Sequence, residues 1–168
     1  MILAVDVAYA ENTAKVAGVL FRQWDDSAID KEIVLDVEPV APYVPGQFYL
    51  RELPCIVKLL AEVNTLGVEL QCIVIDGYVT LGADAHAGLG MHLWEHLHGS
   101  IPVVGVAKTE FFGTPDAMRL RRGDSTRDLF VSSVGMPLEE AKAHILSMTG
   151  KYRLPDFLKK VDQLCRGI

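Results

Sequence analysis

The sequence predicts an α/β fold in which helices flank a mixed central sheet, and two observations lead to this fold class. Three apolar segments joined by short turns open the chain, which indicates an antiparallel meander. Helical and strand patterns then alternate, which is typical of helices covering the faces of a sheet. Half of the 168 residues are apolar and no linker-like stretch interrupts them. One domain spanning residues 1–168 is therefore expected.

Strands are predicted where short apolar runs lie between turn signals. The first run contains a single acid, and the turn Asp25-Asp26-Ser27 separates the second run from the third. The predicted strands are residues 2–9, 15–24, 29–40, 71–75, 101–107 and 130–134.

Helices are predicted where apolar residues recur at helical spacing, as Leu53, Ile56, Val57, Leu60 and Val63 do in the first helix. The predicted helices are residues 51–64, 84–98, 138–149 and 156–166. Three strands followed by alternating helices and strands is the order that the ribonuclease H-like fold uses. Other α/β folds can also begin with a meander.

The charge distribution bears on the kind of partner. The net charge is −6, which by itself argues against a nucleic-acid ligand. Residues 1–100 carry 5 Lys/Arg and 14 Asp/Glu, whereas residues 101–168 carry 11 and 8. The second part is therefore net positive, so its basic residues could contact phosphates while acids elsewhere hold cations. An ordinary solvated charged face is the alternative interpretation.

The cysteines and the amino terminus bear on the compartment. Three cysteines occur without a CxxC or Cys/His zinc spacing, which favours reduced thiols in a cytoplasmic protein. No run of about 18 apolar residues is present, so no membrane-spanning segment is expected. The opening residues, 1–7, indicate a core strand rather than a signal peptide.

Two acids occupy positions where a carboxylate needs a partner, and a third acid adds to them. Asp6 and Asp76 lie in or after strongly apolar strand runs, and a carboxylate beside a core is costly unless it is paired or bound to metal. Glu52 lies in the first turn of the first predicted helix. Carboxylates from neighbouring strands could bracket Mg²⁺, which prefers such oxygens. Each acid alone also fits a structural role, as a turn or cap for the aspartates and as helix-dipole compensation for Glu52.

A basic residue complements these acids. Lys108 follows the predicted strand 101–107, and a lysine at a strand end can offset phosphate charge in a transition state. A solvated lysine is the alternative. Three acids near one end of the sheet could hold two metal ions, one activating water and the other stabilising the leaving oxygen.

Six segments taken together resemble the endonuclease V family. They occur in the family's order and cover nearly the whole chain, whereas any one alone is a short pattern with many chance matches. The segments are 4–9, 42–46, 50–54, 74–77, 104–108 and 150–155. The resemblance implies a ribonuclease H-like fold and an endonuclease that hydrolyses phosphodiester bonds in DNA or RNA near deaminated bases, inosine or deoxyinosine. It also implies Mg²⁺ as the cofactor, with Mn²⁺ as a substitute.

Residue roles follow from the same resemblance. Asp6, Glu52 and Asp76 correspond to metal ligands, and Lys108 corresponds to the residue that stabilises phosphate charge. Tyr43 and its flanking prolines correspond to a wedge that separates strands beside the altered base, which suits a Pro-rigid loop with an aromatic ring. The residues implied to contact nucleic acid are Tyr43, Pro45, Gly46, Gly77 and Arg153.

Two segments depart from the family pattern. The family continues after Asp-Gly with His-Gly-x-x-His-Pro-Arg, but residues 78–84 contain no histidine. A family histidine after a later strand is also absent from residues 130–136. A nucleic-acid-binding module of the same fold with weakened catalysis is therefore a second hypothesis, and an enzyme acting on small phosphate esters is a third. A monomer is expected, and the choice between DNA and RNA is open.

Overall fold

The computed structural model describes residues 1–38 and 40–168. Its strands are β1 (Ile2–Ala10), β2 (Thr13–Phe21), β3 (Lys31–Val37), β4 (Cys72–Asp76), β5 (Thr80–Leu81), β6 (His86–Ala87), β7 (Val103–Ala107), β8 (Arg119–Leu120) and β9 (Leu129–Val134). Its helices are α1 (Tyr49–Asn64), α2 (Leu89–His96), α3 (Leu138–Ser147) and α4 (Asp156–Arg166).

The described strands form a seven-stranded mixed sheet in the order β3-β2-β1-β4-β7-β9-β8. Strands β1, β4 and β7 are parallel, whereas β2 pairs antiparallel with β1 and β9 pairs antiparallel with β7. The carboxyl ends of β1, β4 and β7 therefore meet at one end of the sheet, called the carboxyl end below. The predicted fold class, a mixed sheet flanked by helices, is confirmed.

Strand alternation divides the core into two layers. Leu3 and Val5 of β1 pack with Leu59 of α1 and with α2 on one face of the sheet. Ile2 and Ala4 pack with α3 and α4 on the other face. Successive strand side chains point to opposite faces, so a residue at an even position of β1 faces α4.

The second and third strands are shorter than predicted. The chain turns after β2 because Oδ2 of Asp26 accepts hydrogen bonds from the backbone N–H groups of Arg22 and Gln23, at 3.0 and 2.9 Å. The segment predicted as a strand over residues 29–40 forms β3 at Lys31–Val37, and Pro39 lies outside the described residues.

The helix predicted over residues 84–98 is wrong at its amino end. Strands β5 and β6 pair as a short antiparallel hairpin, and α2 begins only at Leu89. A Cβ atom on Gly88 would lie 2.6 Å from the carbonyl oxygen of Tyr78, so the backbone there packs directly against the segment after β4. Ala85 has a φ of 53°, which an α-helix does not allow. The Ala- and Gly-rich composition of this segment is typical of a helix. Here the small residues instead allow the backbone to pack closely against the segment after β4.

Cys55, Cys72 and Cys165 are buried free thiols. None of the helices in the described residues combines the length and apolarity needed to cross a membrane.

Candidate active site

Two of the three predicted metal ligands extend from neighbouring parallel strands. Asp6 lies in β1 at an even position and is only 7% exposed. Asp76 is the last residue of β4. Both side chains face α4, and both line one small cavity at the carboxyl end of the sheet. Oδ1 of Asp6 accepts a hydrogen bond from the backbone N–H of Val7 at 2.8 Å.

The third predicted ligand arrives from the other face of the sheet. Glu52 lies in the first turn of α1 and is 4% exposed. Its Oε2 atom has no hydrogen-bond partner among the described residues. A buried carboxylate oxygen without a partner is costly, so this atom needs a cation or a proton.

The three acids lie within one another's electrostatic field. Burial, followed by the charge of Asp76, raises the pKa of Asp6 from 3.8 to about 7. Burial, followed by the charges of Asp6 and Asp76, raises the pKa of Glu52 well above its ordinary value. Burial also raises the pKa of Asp76. Together with the unpartnered oxygen of Glu52, this set of oxygen donors fits a hard divalent cation such as Mg²⁺.

Lys108 lies beside these acids. It follows β7, and its Nζ is 3.6 Å from Oδ2 of Asp76, where its charge lowers the Asp76 pKa against the effect of burial. Gly105 allows β7 to pack closely against the segment after β4, because a Cβ on Gly105 would lie 2.5 Å from the carbonyl oxygen of Gly77. Gly77 itself has a φ of 137°, which favours glycine.

The structure adds Asp162 of α4 to the site, a residue that the sequence analysis missed. Asp6, Asp162 and Cys165 each have a ligand atom within 4.8 Å of the others. The charge of Asp162 also raises the pKa values of Asp6 and Asp76. Asp162 lies four residues after the buried Leu158 and three before Cys165, so it shares the face of α4 that packs on the sheet.

Only some residues of the loop before α1 lie at the site. Gly46 and Gly77 line a cavity of about 280 Å³ together with Asp76, so three predicted residues meet there. Aromatic and aliphatic side chains complete its wall; they are Phe48, Tyr49, Tyr78, Leu81, Ala87, Leu89 and Phe111, with Gly88. Tyr43 is 60% exposed and Pro45 is also exposed, and both lie outside this lining.

Arg153 lies close to the site but is directed at the backbone. Its Nη1 donates hydrogen bonds to the carbonyl oxygens of Lys108, at 3.1 Å, and Asp128, at 3.0 Å. These bonds fix the chain beside Lys108. Contact of Arg153 with nucleic acid stays a prediction.

The mixed sheet flanked by helices, with Asp6 in β1, Asp76 ending β4 and Lys108 following β7, gives the class of the protein as the ribonuclease H-like nucleases. The family model described as Endonuclease V matches residues 1–127. Endonuclease V of Streptomyces avermitilis is 32% identical over 187 residues, covering 98% of this chain and 79% of that protein. Endonuclease V of Pyrococcus abyssi is 32% identical over 171 residues, covering 99% and 79%. The chain belongs to the endonuclease V family, and it is a nuclease.

Solved structures agree with this assignment. The crystal structure of endonuclease V from Streptomyces avermitilis superposes with a TM-score of 0.72 at 32% identity, covering 99% of this chain and 79% of that one. Endonuclease V from Ciona intestinalis, in complex with DNA containing an inosine, superposes with a TM-score of 0.80 at 18% identity, covering 99% and 84%. The second similarity supports the fold.

Proposed function

We propose that this protein is a Mg²⁺-dependent endonuclease that hydrolyses phosphodiester bonds near inosine or deoxyinosine. The observation that carries the proposal is the buried Glu52 oxygen without a partner among the described residues, which lies within the electrostatic influence of Asp6 and Asp76, with Lys108 beside Asp76. The inosine-containing DNA bound by the Ciona intestinalis relative supports the substrate class.

Asp6, Glu52 and Asp76 would hold the ion, with Asp162 as a further oxygen donor. When bound, Mg²⁺ or Mn²⁺ supplies Lewis acidity toward phosphate oxygens and lowers the pKa of water. The protein contributes carboxylates fixed by two strands and a helix. It also contributes the ammonium group of Lys108, which offsets phosphate charge at the same end of the sheet.

The cavity beside Asp76 suits a nucleobase taken out of its stack. Its volume is about 280 Å³ and its walls are mostly apolar and aromatic. The hydroxyl of Tyr78 donates to the carbonyl oxygen of Thr109 and accepts from the N–H of Phe111, at 2.7 and 3.1 Å. These bonds hold two aromatic residues of the cavity wall, Tyr78 and Phe111, in place although the family histidines are missing. Tyr43 and Pro45, on the exposed loop beside Gly46, would separate the neighbouring bases.

The test is cleavage of end-labelled DNA and RNA strands that contain one inosine, compared with matched strands that contain adenosine. We expect cleavage of the inosine strands with Mg²⁺ or Mn²⁺ and none with EDTA. Cleavage independent of metal would contradict the proposal. Binding of inosine strands without cleavage would favour the binding module, which the missing histidines in residues 78–84 and 130–136 suggest.

Lys108→Ala is expected to lower the cleavage rate about a hundredfold while changing KM little, because the ammonium group acts on charge that develops at the phosphate. Single-turnover rates at saturating enzyme give the chemical step, and substrate titration gives binding. Lys31→Ala, an exposed lysine of β3, is the matched control and should cleave at the wild-type rate. An equal effect of the two substitutions would contradict the role of Lys108.

The proposal also covers the extent of the domain, the oligomeric state and the cellular compartment. Residues 1–168 would act as one catalytic domain, since α4 carries Asp162 to the strand that carries Asp6. The protein would act as a cytoplasmic monomer, and the buried free thiols support a reducing compartment.

A further inference from the structure

A second cavity, separate from the acids, opens on the α4 side of the molecule. Its volume is about 430 Å³. The loop before β9 and the loop before α4 line it; the lining residues are Asp124, Ser125, Arg127, Lys151, Tyr152 and Arg153. This cavity and the adjoining Lys159 are called the basic cleft below.

The cations of the basic cleft are not neutralised locally. Arg119, Arg121 and Lys160 form ion pairs with carboxylates. Arg127 and Lys151, by contrast, form no ion pair among the described residues, and neither does Lys159. Asp124 is the only carboxylate among the described residues that line the cleft. The cleft therefore carries net positive charge and suits a polyanion.

An exposed aromatic ring lies among these cations. Tyr152 is 58% exposed. Nζ of Lys151 lies 5.2 Å from the centroid of its ring, and Nζ of Lys159 lies 5.7 Å from it. Aromatic rings beside a positively charged groove are how proteins hold single-stranded nucleic acid, with a base stacked on the ring and phosphates on the cations.

A buried arginine holds this surface in place. Arg122 is 4% exposed, and its guanidinium donates to the carbonyl oxygens of Met148, Gly150 and Tyr152. The two loops also touch closely, since a Cβ on Gly123 would lie 2.3 Å from the carbonyl oxygen of Lys151. A buried charge is tolerated when it is hydrogen-bonded in this way. Tyr152 is therefore presented on a fixed backbone, which lowers the entropic cost of binding.

The basic cleft adjoins the candidate active site. Arg153 lines the cleft, and its guanidinium binds the carbonyl oxygen of Lys108. The loop that carries Tyr152 leads into α4 on one face of the sheet, whereas the loop that carries Tyr43 leads into α1 on the other face. A strand that crosses the carboxyl end from the Tyr43 loop over the acids would therefore reach the basic cleft.

We propose that the basic cleft binds the single-stranded segment that flanks the scissile phosphate. A base stacks on Tyr152, and phosphates contact Arg127 and Lys151. This inference rests on the proposed function for the identity of the strand, but the recognition chemistry depends only on the cleft.

The experiment measures binding of a fluorescent oligothymidine to the full chain in EDTA, by anisotropy across a salt series. Tyr152→Ala is expected to weaken binding about 5- to 100-fold, and Tyr152→Trp should stay within about threefold because the stacking face is kept. Lys151→Ala should lower the slope of log K against log salt by about 0.7, the value for one phosphate contact on a single strand. Lys31→Ala, on the remote strand β3, should leave the slope unchanged.

Three results would overturn the inference: no binding of oligothymidine by the wild-type chain, equal affinity of Tyr152→Ala and wild type, or equal salt slopes for Lys151→Ala and Lys31→Ala. The oligonucleotide lacks inosine and the assay lacks metal. Failure of inosine cleavage would therefore contradict the proposed function and leave the binding result to decide the cleft.

Discussion

Asp6→Asn is expected to lower the single-turnover cleavage rate by at least about a thousandfold. Asn keeps the size of the side chain but removes the negative charge, and it replaces one carboxylate oxygen with an NH₂ group that cannot bind a cation. Asp6 is the acid whose neighbours include both Asp76 and Asp162. Its loss therefore weakens every arrangement of a divalent ion between β1, β4 and α4.

The control for Asp6→Asn is Asp30→Asn. Asp30 lies in the turn before β3, at the end of the sheet opposite the acids, where it pairs with Arg22. It should cleave at the wild-type rate. Circular dichroism and oligothymidine binding should be unchanged in Asp6→Asn, because the nucleic-acid contacts lie elsewhere. Cleavage by Asp6→Asn within tenfold of wild type would place the metal site elsewhere (roughly 1.4 kcal/mol in barrier height).

The strand acids could be predicted from sequence because burial makes them anomalous. Asp6 interrupts an apolar run and Asp76 ends one, so the sequence alone indicates that each carboxylate needs a partner. The parallel pairing of β1 with β4 that the structure shows brings both acids to one end of the sheet. Glu52 carried no such signal, since acids are favoured in the first turn of a helix anyway. The prediction that Glu52 binds metal depended on the family resemblance.

Asp162 and Arg122 were hidden for a related reason. Asp162 is followed at i+4 by Arg166, and the two form an ion pair at 2.7 Å, so the sequence resembles an ordinary solvated helix face. Arg122 stands among neighbouring arginines, and only the coordinates show that it is buried while Arg121 is exposed. Local patterns report periodicity and charge. They do not indicate which polar side chain becomes buried where two loops pack together.

The β5–β6 hairpin between β4 and α2 shows that local sequence patterns also fail to predict some backbone geometry. Gly88 and Gly90 both lie within the predicted helix 84–98, and each allows close packing against the segment of Tyr78 and Val79. Such contacts join residues roughly ten positions apart across a hairpin, and neither helical nor strand periodicity predicts them. The cavity wall built from this hairpin was therefore beyond prediction, although it lies within a few residues of Asp76.

The metal-free protein is expected to lose stability as pH rises from about 4 to about 7. The pKa of Asp6 rises from 3.8 to about 7 on folding, first through burial and then through the charge of Asp76. Between these values the folded state binds more protons than the unfolded state, so the free energy of unfolding falls with increasing pH. The stabilisation is fully present below the lower value and is lost as Asp6 ionises in the folded protein.

The size of this effect is large for one residue. The difference between these two pKa values corresponds to on the order of 4 kcal/mol, and Asp6 is buried, so solvent screening is weak. This amounts to a fall of roughly 10 °C in Tm. Differential scanning fluorimetry of the chelator-treated protein between pH 4 and pH 8 measures it. The raised pKa values of Glu52 and Asp76 act in the same direction.

Metal ions should reverse this loss, because they bind the ionised acids of the folded state and not the unfolded chain. Near neutral pH, Mn²⁺ is expected to raise the Tm of the wild-type protein and to flatten its pH dependence. Asp6→Asn should show a weaker pH dependence without metal and a smaller response to Mn²⁺, since it lacks both the titrating group and one ligand. A wild-type Tm that rises between pH 4 and pH 7 without metal would show that these carboxylates are not in mutual repulsion. The case for a shared cation would then lose its electrostatic basis.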